Sequence, residues 1–195
     1  MRKMTGSGPA GVHLNDEGLQ QARALGERLA AANLQAVYSS PLERAVETAQ
    51  QVVKHYPGLD IQIDEGVGEV KFGEWTGSRL RKLRRKRLWD VVQHYPSGAR
   101  FPQGESIREM QSRVVGALEE IARQHPGQRV AVVSHSDVIK AALAHYAGTH
   151  LDLFQRFVVS PASISMVALG RMGPHIIRVN DTCHYERRQE DGGSG

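Results

Sequence analysis

Arg129-Val130-Ala131-Val132-Val133-Ser134-His135 decides the fold: a short apolar run, bounded by turn residues and ending in a polar pair. Five to six residues of this kind read as a strand of a parallel sheet buried on both faces. Asp137 to about Ala147 follows with helical spacing, so the unit is a strand feeding a helix. Upstream, Ser106 and Glu109 form a capping box that opens a helix reaching about Gln124.

The same alternation recurs toward the N-terminus. Asn15 can cap a helix whose Leu19, Ala22, Leu25 and Leu29 form one apolar stripe, with Asp16 and Glu17 in its first turn. Ala36-Val37-Tyr38 is the next strand. Ser40, Pro41 and Glu43 then supply a cap, a first-turn proline and a second capping box for a helix to about His55. Ile61-Gln62-Ile63 alternates as a strand, whereas 64–78 is glycine-punctuated and irregular, and 96–104 is a loop. Ile164–Leu169 and His175–Val179 are expected to pair antiparallel around the turn 170–173. The expectation is an α/β fold: one domain over 1–188, a mostly parallel sheet with helices on both faces, and a disordered tail at 189–195.

A chain of 195 residues with 40% apolar and 24% charged residues is ordinary for one globular domain. No apolar run approaches the roughly 18–20 residues needed to cross a bilayer, and the N-terminus lacks the apolar core of a secretory signal. A single cysteine, Cys183, excludes an internal disulfide, so a cytoplasmic location without membrane association is expected. Of the 25 basic residues, seven fall in the nine positions Arg79–Arg87. Leu80, Leu83 and Leu88, with Val91 and Val92, would anchor one side of a helix there, leaving a solvated basic face. Alternatively the segment is a basic rim for an anionic substrate. No aromatic residues are interleaved through it, so a nucleic-acid partner is not expected; one would show steeply salt-dependent binding.

Ligands of open α/β sheets bind beyond the carboxyl ends of the strands. His135 lies there after the 129–134 strand, and Arg44 lies in the first turn of the helix after 36–38. A histidine and an arginine at neighbouring helix N-termini could form an oxyanion pocket. The alternative is that His135 caps or packs locally while Arg44 pairs with Glu43 or Glu47. The histidines are scattered, with no spacing that suggests zinc, and neither a metal nor another cofactor is expected.

These residues carry a resemblance. Ser39–Ala49, SSPLERAVETA, resembles the phosphate-binding arginine block of the histidine phosphatase superfamily, the phosphoglycerate mutase-like proteins. Val133–Leu143, VSHSDVIKAAL, is similar to its second-histidine block, and Asp64–Gly77 to its acidic loop. His13–Gly18 and Pro102–Ser106 match two further blocks in the same order. Leu151–Gln155 and Pro161–Ser163 resemble a phosphomutase or phosphatase branch. The resemblance implies a phosphoglycerate mutase-like sheet and phosphohistidine chemistry on a small phosphorylated substrate, either hydrolysis or phosphoryl shift. It assigns Arg44 to substrate binding, His135 to substrate binding and catalysis, and Glu69 to protonating the leaving oxygen, with Glu65 and Glu74 close by. A phosphate-facing, desolvated site would raise the pKa of Glu69 and so keep it protonated.

In that family the nucleophile is a histidine in an Arg-His-Gly motif at the end of the first strand. No Arg-His-Gly occurs in this sequence, and only twelve residues precede His13. The expectation is therefore a truncated N-terminus, with the first strand missing. Three explanations are open: a chain whose reading begins late, a nucleophile-free module that binds phosphorylated ligands, or a replacement nucleophile, for which His13 is the nearby candidate.

Overall fold

A computed structural model describes residues 11–185. The N-terminal residues 1–10 and the tail expected at 189–195 lie outside the described residues. The chain runs α1 (Asp16–Leu29), β1 (Leu34–Ser39), α2 (Glu43–Val53) and β2 (Ile61–Ile63). Short 3₁₀ turns then lead to α3 (Leu80–Leu83) and α4 (Arg87–His94). It continues with α5 (Ile107–Gln124), β3 (Arg129–Val133), α6 (Ser136–Tyr146), β4 (Ile164–Gly170) and β5 (Gly173–Asp181).

Three strands form a parallel sheet in the order β2-β1-β3, and β4 and β5 form a separate antiparallel pair turning at 170–173. Side chains of a strand alternate between faces, and the two faces here are covered by different helices. Val37, Ala131 and Val133 pack with Leu25 of α1 and with Ala49 and Val52 of α2. Ala36, Tyr38, Val130 and Val132 pack on Ile121 of α5. The architecture is the expected α/β layering. A third apolar cluster joins Val70, Phe72, Trp75 and Phe101 to α5 and α6, and it anchors the irregular stretch between β2 and α5.

Two local expectations fail. The 79–92 segment is two helices, because Arg84 ends α3 and Lys86 is extended (φ −90°, ψ 137°) before α4 begins. Crowding like charges along one helix disfavours continuity, while Leu83 is buried and Leu80 and Leu88 pack against the cluster beneath. The box at Ser40–Glu43 is not formed either: Leu42 is the N-cap of α2, with extended backbone and no side-chain cap. The other caps are as read, with Asn15 accepting from Gly18 N at 2.8 Å and the Ser106/Glu109 box complete. β3, read as a central strand, has β1 as its single ladder partner among the described residues and is half-buried along most of its length.

Candidate active site

β1 and β3 run side by side and in register, Ser39 opposite Val133, so the helices that follow them start next to each other. Arg44 occupies the first turn of α2, and His135 is the N-cap of α6. The two residues, 91 apart in sequence, meet with Arg44 Nη2 3.1 Å from His135 Nδ1. Neither Glu43 nor Glu47 takes Arg44 in a salt bridge; its carboxylate partner is Glu69, with Nη2 3.5 Å from Oε2. Glu69 Oε2 lies 3.7 Å from His135 Nδ1, so an arginine, a carboxyl and an imidazole converge on one point. Their side chains are only 19, 15 and 5% exposed, which makes the site dry enough for charge to matter.

The tautomer of His135 follows from its partners. A guanidinium can only donate, so Nδ1 facing Arg44 must carry the lone pair. Nε2 then carries the proton and donates to Ser40 Oγ at 2.7 Å. Burial, with Arg44 and then Arg113 adding repulsion, holds the imidazole neutral by pushing its pKa down to about 3. Ser40 Oγ thus serves the histidine and accepts from Leu42 N at 3.3 Å, while α2 begins later than a box at Ser40 requires.

Glu69 reaches the same point from an irregular loop. Its pKa is raised to about 7, chiefly because burial penalises the carboxylate. Asp137 adds to the rise, while the Val70 N–H, which donates to Oε1 at 3.0 Å, Arg44 and Arg113 oppose it. Near neutrality the carboxyl is therefore still partly protonated, whereas the imidazole beside it is neutral. A dry site where an arginine meets a carboxyl of raised pKa can bind a phosphoryl group and donate a proton to an oxygen leaving it.

The loop that carries Glu69 has unusually complete backbone pairing. Arg113 Nη1 donates to the carbonyls of Glu65, Gly66 and Gly68 at 3.0, 2.8 and 3.1 Å, and Nη2 to that of Glu69 at 3.3 Å. Ser134 Oγ donates to the remaining carbonyl, Val67 O, at 2.6 Å. Glu105 holds Arg113 through two bonds, 2.7 and 3.2 Å, and accepts from Lys71 N at 2.9 Å. Sequence reading gave Ser40 only a helix-capping role and singled out none of Glu105, Arg113 and Ser134. Ser40, Glu105 and Ser134 fall inside the matched blocks, whereas nothing local distinguishes Arg113 from other helical arginines.

The neighbours of these residues are separated clearly. Glu65 and Glu74 are exposed. His13 lies outside the convergence point, its Nδ1 2.5 Å from Glu47 Oε1, and that contact raises its pKa. The seven basic side chains of 79–87 are all exposed, and among the described residues no ion pair engages them. No group of three or more His, Cys, Asp or Glu side chains suited to a metal ion occurs among the described residues. No helix there is long and apolar enough to cross a membrane.

Comparison with known proteins places this geometry in context. The family model described as the histidine phosphatase superfamily (branch 1) matches residues 2–182. Phosphoserine phosphatase 1 of Hydrogenobacter thermophilus is 31% identical over 173 residues, which cover 88% of this chain and 82% of the relative. Among solved structures, Bacillus stearothermophilus YhfR is similar with a TM-score of 0.87 and 28% identity, over 94% of this chain and 91% of the other. A mutant phosphoserine phosphatase from Entamoeba histolytica, in complex with phosphoserine, shares the fold with a TM-score of 0.83 at 24% identity, over 94% and 90% of the two chains.

Proposed function

Since the chain belongs to the histidine phosphatase superfamily, we propose that its Arg44–Glu69–His135 pocket binds and cleaves small phosphomonoesters through a phosphohistidine. The supporting observation is the convergence of the three side chains, with Glu69 still partly protonated near neutrality and the imidazole of His135 neutral. Arg44 binds the phosphoryl oxygens, and its fork stays charged at any working pH. His135, its ring oriented by Ser40, accepts from Arg44 Nη2 and so holds the guanidinium in place for those oxygens. As a histidine nitrogen forms its bond to phosphorus, the bond to the ester oxygen breaks and Glu69 gives that oxygen its proton. Water then attacks the phosphohistidine and returns a proton to the Glu69 carboxylate, releasing phosphate. Charge spreads over three equatorial oxygens in such transfers, so positioned cations and a proton donor supply most of the catalysis.

Phosphoserine is the first substrate to try, because the Hydrogenobacter relative is named for it. Hydrolysis is favoured over phosphoryl shift on the same ground. The nucleophile is the one role that Arg44, Glu69 and His135 leave open, and that favours a second reading, a pocket that binds phosphorylated ligands without turnover. One assay separates the two: phosphate release from an aryl phosphate and from phosphoserine, alongside binding of inorganic phosphate, with Arg44→Ala and His135→Ala as controls. Release lost in both variants supports the phosphatase. Arg44-dependent binding without release supports the binding module, and binding indifferent to both substitutions sinks the pocket assignment.

A further inference from the structure

We infer that Arg113 and Glu105 are positioning residues for Glu69: the guanidinium fixes the backbone of the acid's loop, and Glu105 both orients it and cancels its charge. The inference deepens the phosphatase reading, on which its kinetic arm rests.

The backbone of 65–69 has no regular secondary structure beyond one 3₁₀ turn, and the Val70 N–H bond ties Glu69 only to its own neighbour, so the loop alone does not set where Glu69 sits against α2 and α6. Arg113 reaches it from the middle of α5 and takes four of the five carbonyls, that of Glu69 included. A planar fork with fixed donor directions is suited to this, since moving any one carbonyl strains the rest. Gly66 is pressed against α5 at the same place, where a Cβ would meet Ala117 Cβ at 2.5 Å. Glu105 then closes the arrangement from the other side, bonding Arg113 twice and Lys71 N once. Residues on both sides of Glu69 are therefore held by one ion pair, whose side chains are 19 and 10% exposed.

Charge gives the pair a second effect. The groups facing Glu69 are Arg44 from α2, His135 and Asp137 from α6, and Arg113 from α5. Arg113 favours the Glu69 carboxylate and so works against a proton donor. The Glu105 carboxylate, 2.7 Å from Nη2, opposes that influence. A neutral residue in place of Arg113 would remove the problem but would leave the carbonyls of Gly66, Gly68 and Glu69 without their donor. The paired arrangement positions the acid while leaving its proton in place.

Geometry and charge separate in two variants. Arg113→Lys keeps the charge and loses the fork. Measured on phosphoserine, or on an aryl phosphate, kcat should fall by about tenfold or more while KM stays within about twofold, because the phosphate ligands are untouched. An unchanged kcat in folded Arg113→Lys overturns the positioning role. Glu105→Gln keeps Arg113 and exposes its charge. Glu69 should then lose its proton about one pH unit lower.

That shift can be read without turnover, from urea unfolding between pH 4 and 9 of the wild type and of Glu105→Gln, each compared with its Glu69→Gln counterpart. Within each pair the stability difference grows with pH until Glu69 is ionised in the folded state, and then levels off. Levelling off at lower pH in the Glu105→Gln pair supports the inference, and levelling off at the same pH overturns it. Should Glu105→Gln not fold, Glu105→Asp, which withdraws the carboxylate by one methylene, should give a smaller shift in the same direction. If the wild type releases no phosphate, the phosphatase reading has failed by itself and the unfolding arm alone decides this one.

Discussion

The two sides of the pocket are built by different means. Arg44 and His135 are placed by regular structure: parallel neighbours β1 and β3 end in register, and each hands its residue to a helix N-terminus. Glu69 stands on a loop whose position comes from a side-chain ion pair and from close backbone contacts. The cationic side therefore depends on sheet and helix stability distributed over many residues. The acidic side depends on a few contacts, any one of which can be removed by a single substitution. A proton donor must match its leaving group to within a fraction of an ångström, so the loop's rigidity has to be supplied from outside it.

The largest effect is expected where two backbones touch. Loops 71–74 and 102–104 cross so closely that a Cβ on Gly104 would lie 2.1 Å from Lys71 O, and one on Gly73 would lie 2.1 Å from Pro102 O. The crossing is tied by Glu74 N donating to Pro102 O and Glu105 N donating to Lys71 O, both at 3.0 Å. Gly104→Ala has to part these chains and should cost about 3 kcal/mol in a urea titration. It should also displace Glu105 and with it Glu69. Turnover should fall far more than affinity for inorganic phosphate, which depends on Arg44 and His135. Equal losses in both would break the comparison, because the two sides would then share one scaffold.

The same division decides what could be read from the sequence. Period-2 runs, the Asn15 and Ser106/Glu109 caps and the 170–173 turn are local patterns, and the elements they predicted are present. Strand ends followed by helices brought Arg44 and His135 forward as a pair before any resemblance was invoked. Glu69 was different: among Glu65, Glu69 and Glu74 on a glycine-rich loop, spacing offers no choice, and the resemblance alone made it. Arg113 is 44 residues from the carbonyl it holds, and such a contact leaves no periodicity behind. Where local logic failed, a tertiary demand overrode it. Ser40 has the right residue type and spacing for a capping box, but its hydroxyl is shared between His135 Nε2 and Leu42 N, and Leu42 is extended, so the helix starts later. The leucines of 80–88 keep helical spacing, yet Lys86 breaks the helix between them.

A smaller effect distinguishes the sides by the sign of their pH dependence. Glu69 has a folded pKa near 7, above the ordinary carboxylate value of 4.5, so the wild type loses stability as pH rises from about 4.5 to 7. His135 has a folded pKa near 3, below 6.5, so stability is lost as pH falls from about 6.5 toward 3. The two slopes oppose each other between roughly pH 4.5 and 6.5. Glu69→Gln removes the first slope. Its stability relative to wild type should improve by about 2 kcal/mol between pH 4 and pH 8, a value below the full linkage figure because the side chain is partly exposed. His135→Asn should remove the opposite slope. A pH-independent difference for Glu69→Gln would mean that the acid is not desolvated, and the contrast in protonation between the two sides would disappear.

The smallest effect sharpens the cationic side. Sheet and helix geometry bring the His135 backbone to the pocket, but the ring can still turn about its side-chain torsions, and the Nε2–H···Oγ bond to Ser40 opposes that. Ser40→Ala leaves a buried imidazole N–H without this acceptor and should cost about 1 kcal/mol, with the fold otherwise intact. The Nδ1 contact with Arg44 should persist, since it depends on α2 and β3 rather than on Ser40. Nitrogen NMR of His135 should therefore still report the Nε2–H tautomer, and phosphate affinity should fall only a few-fold. A switch to the Nδ1–H tautomer would show that Ser40, not Arg44, sets the ring's protonation. The cationic side would then rest, like the acidic side, on one specific hydrogen bond.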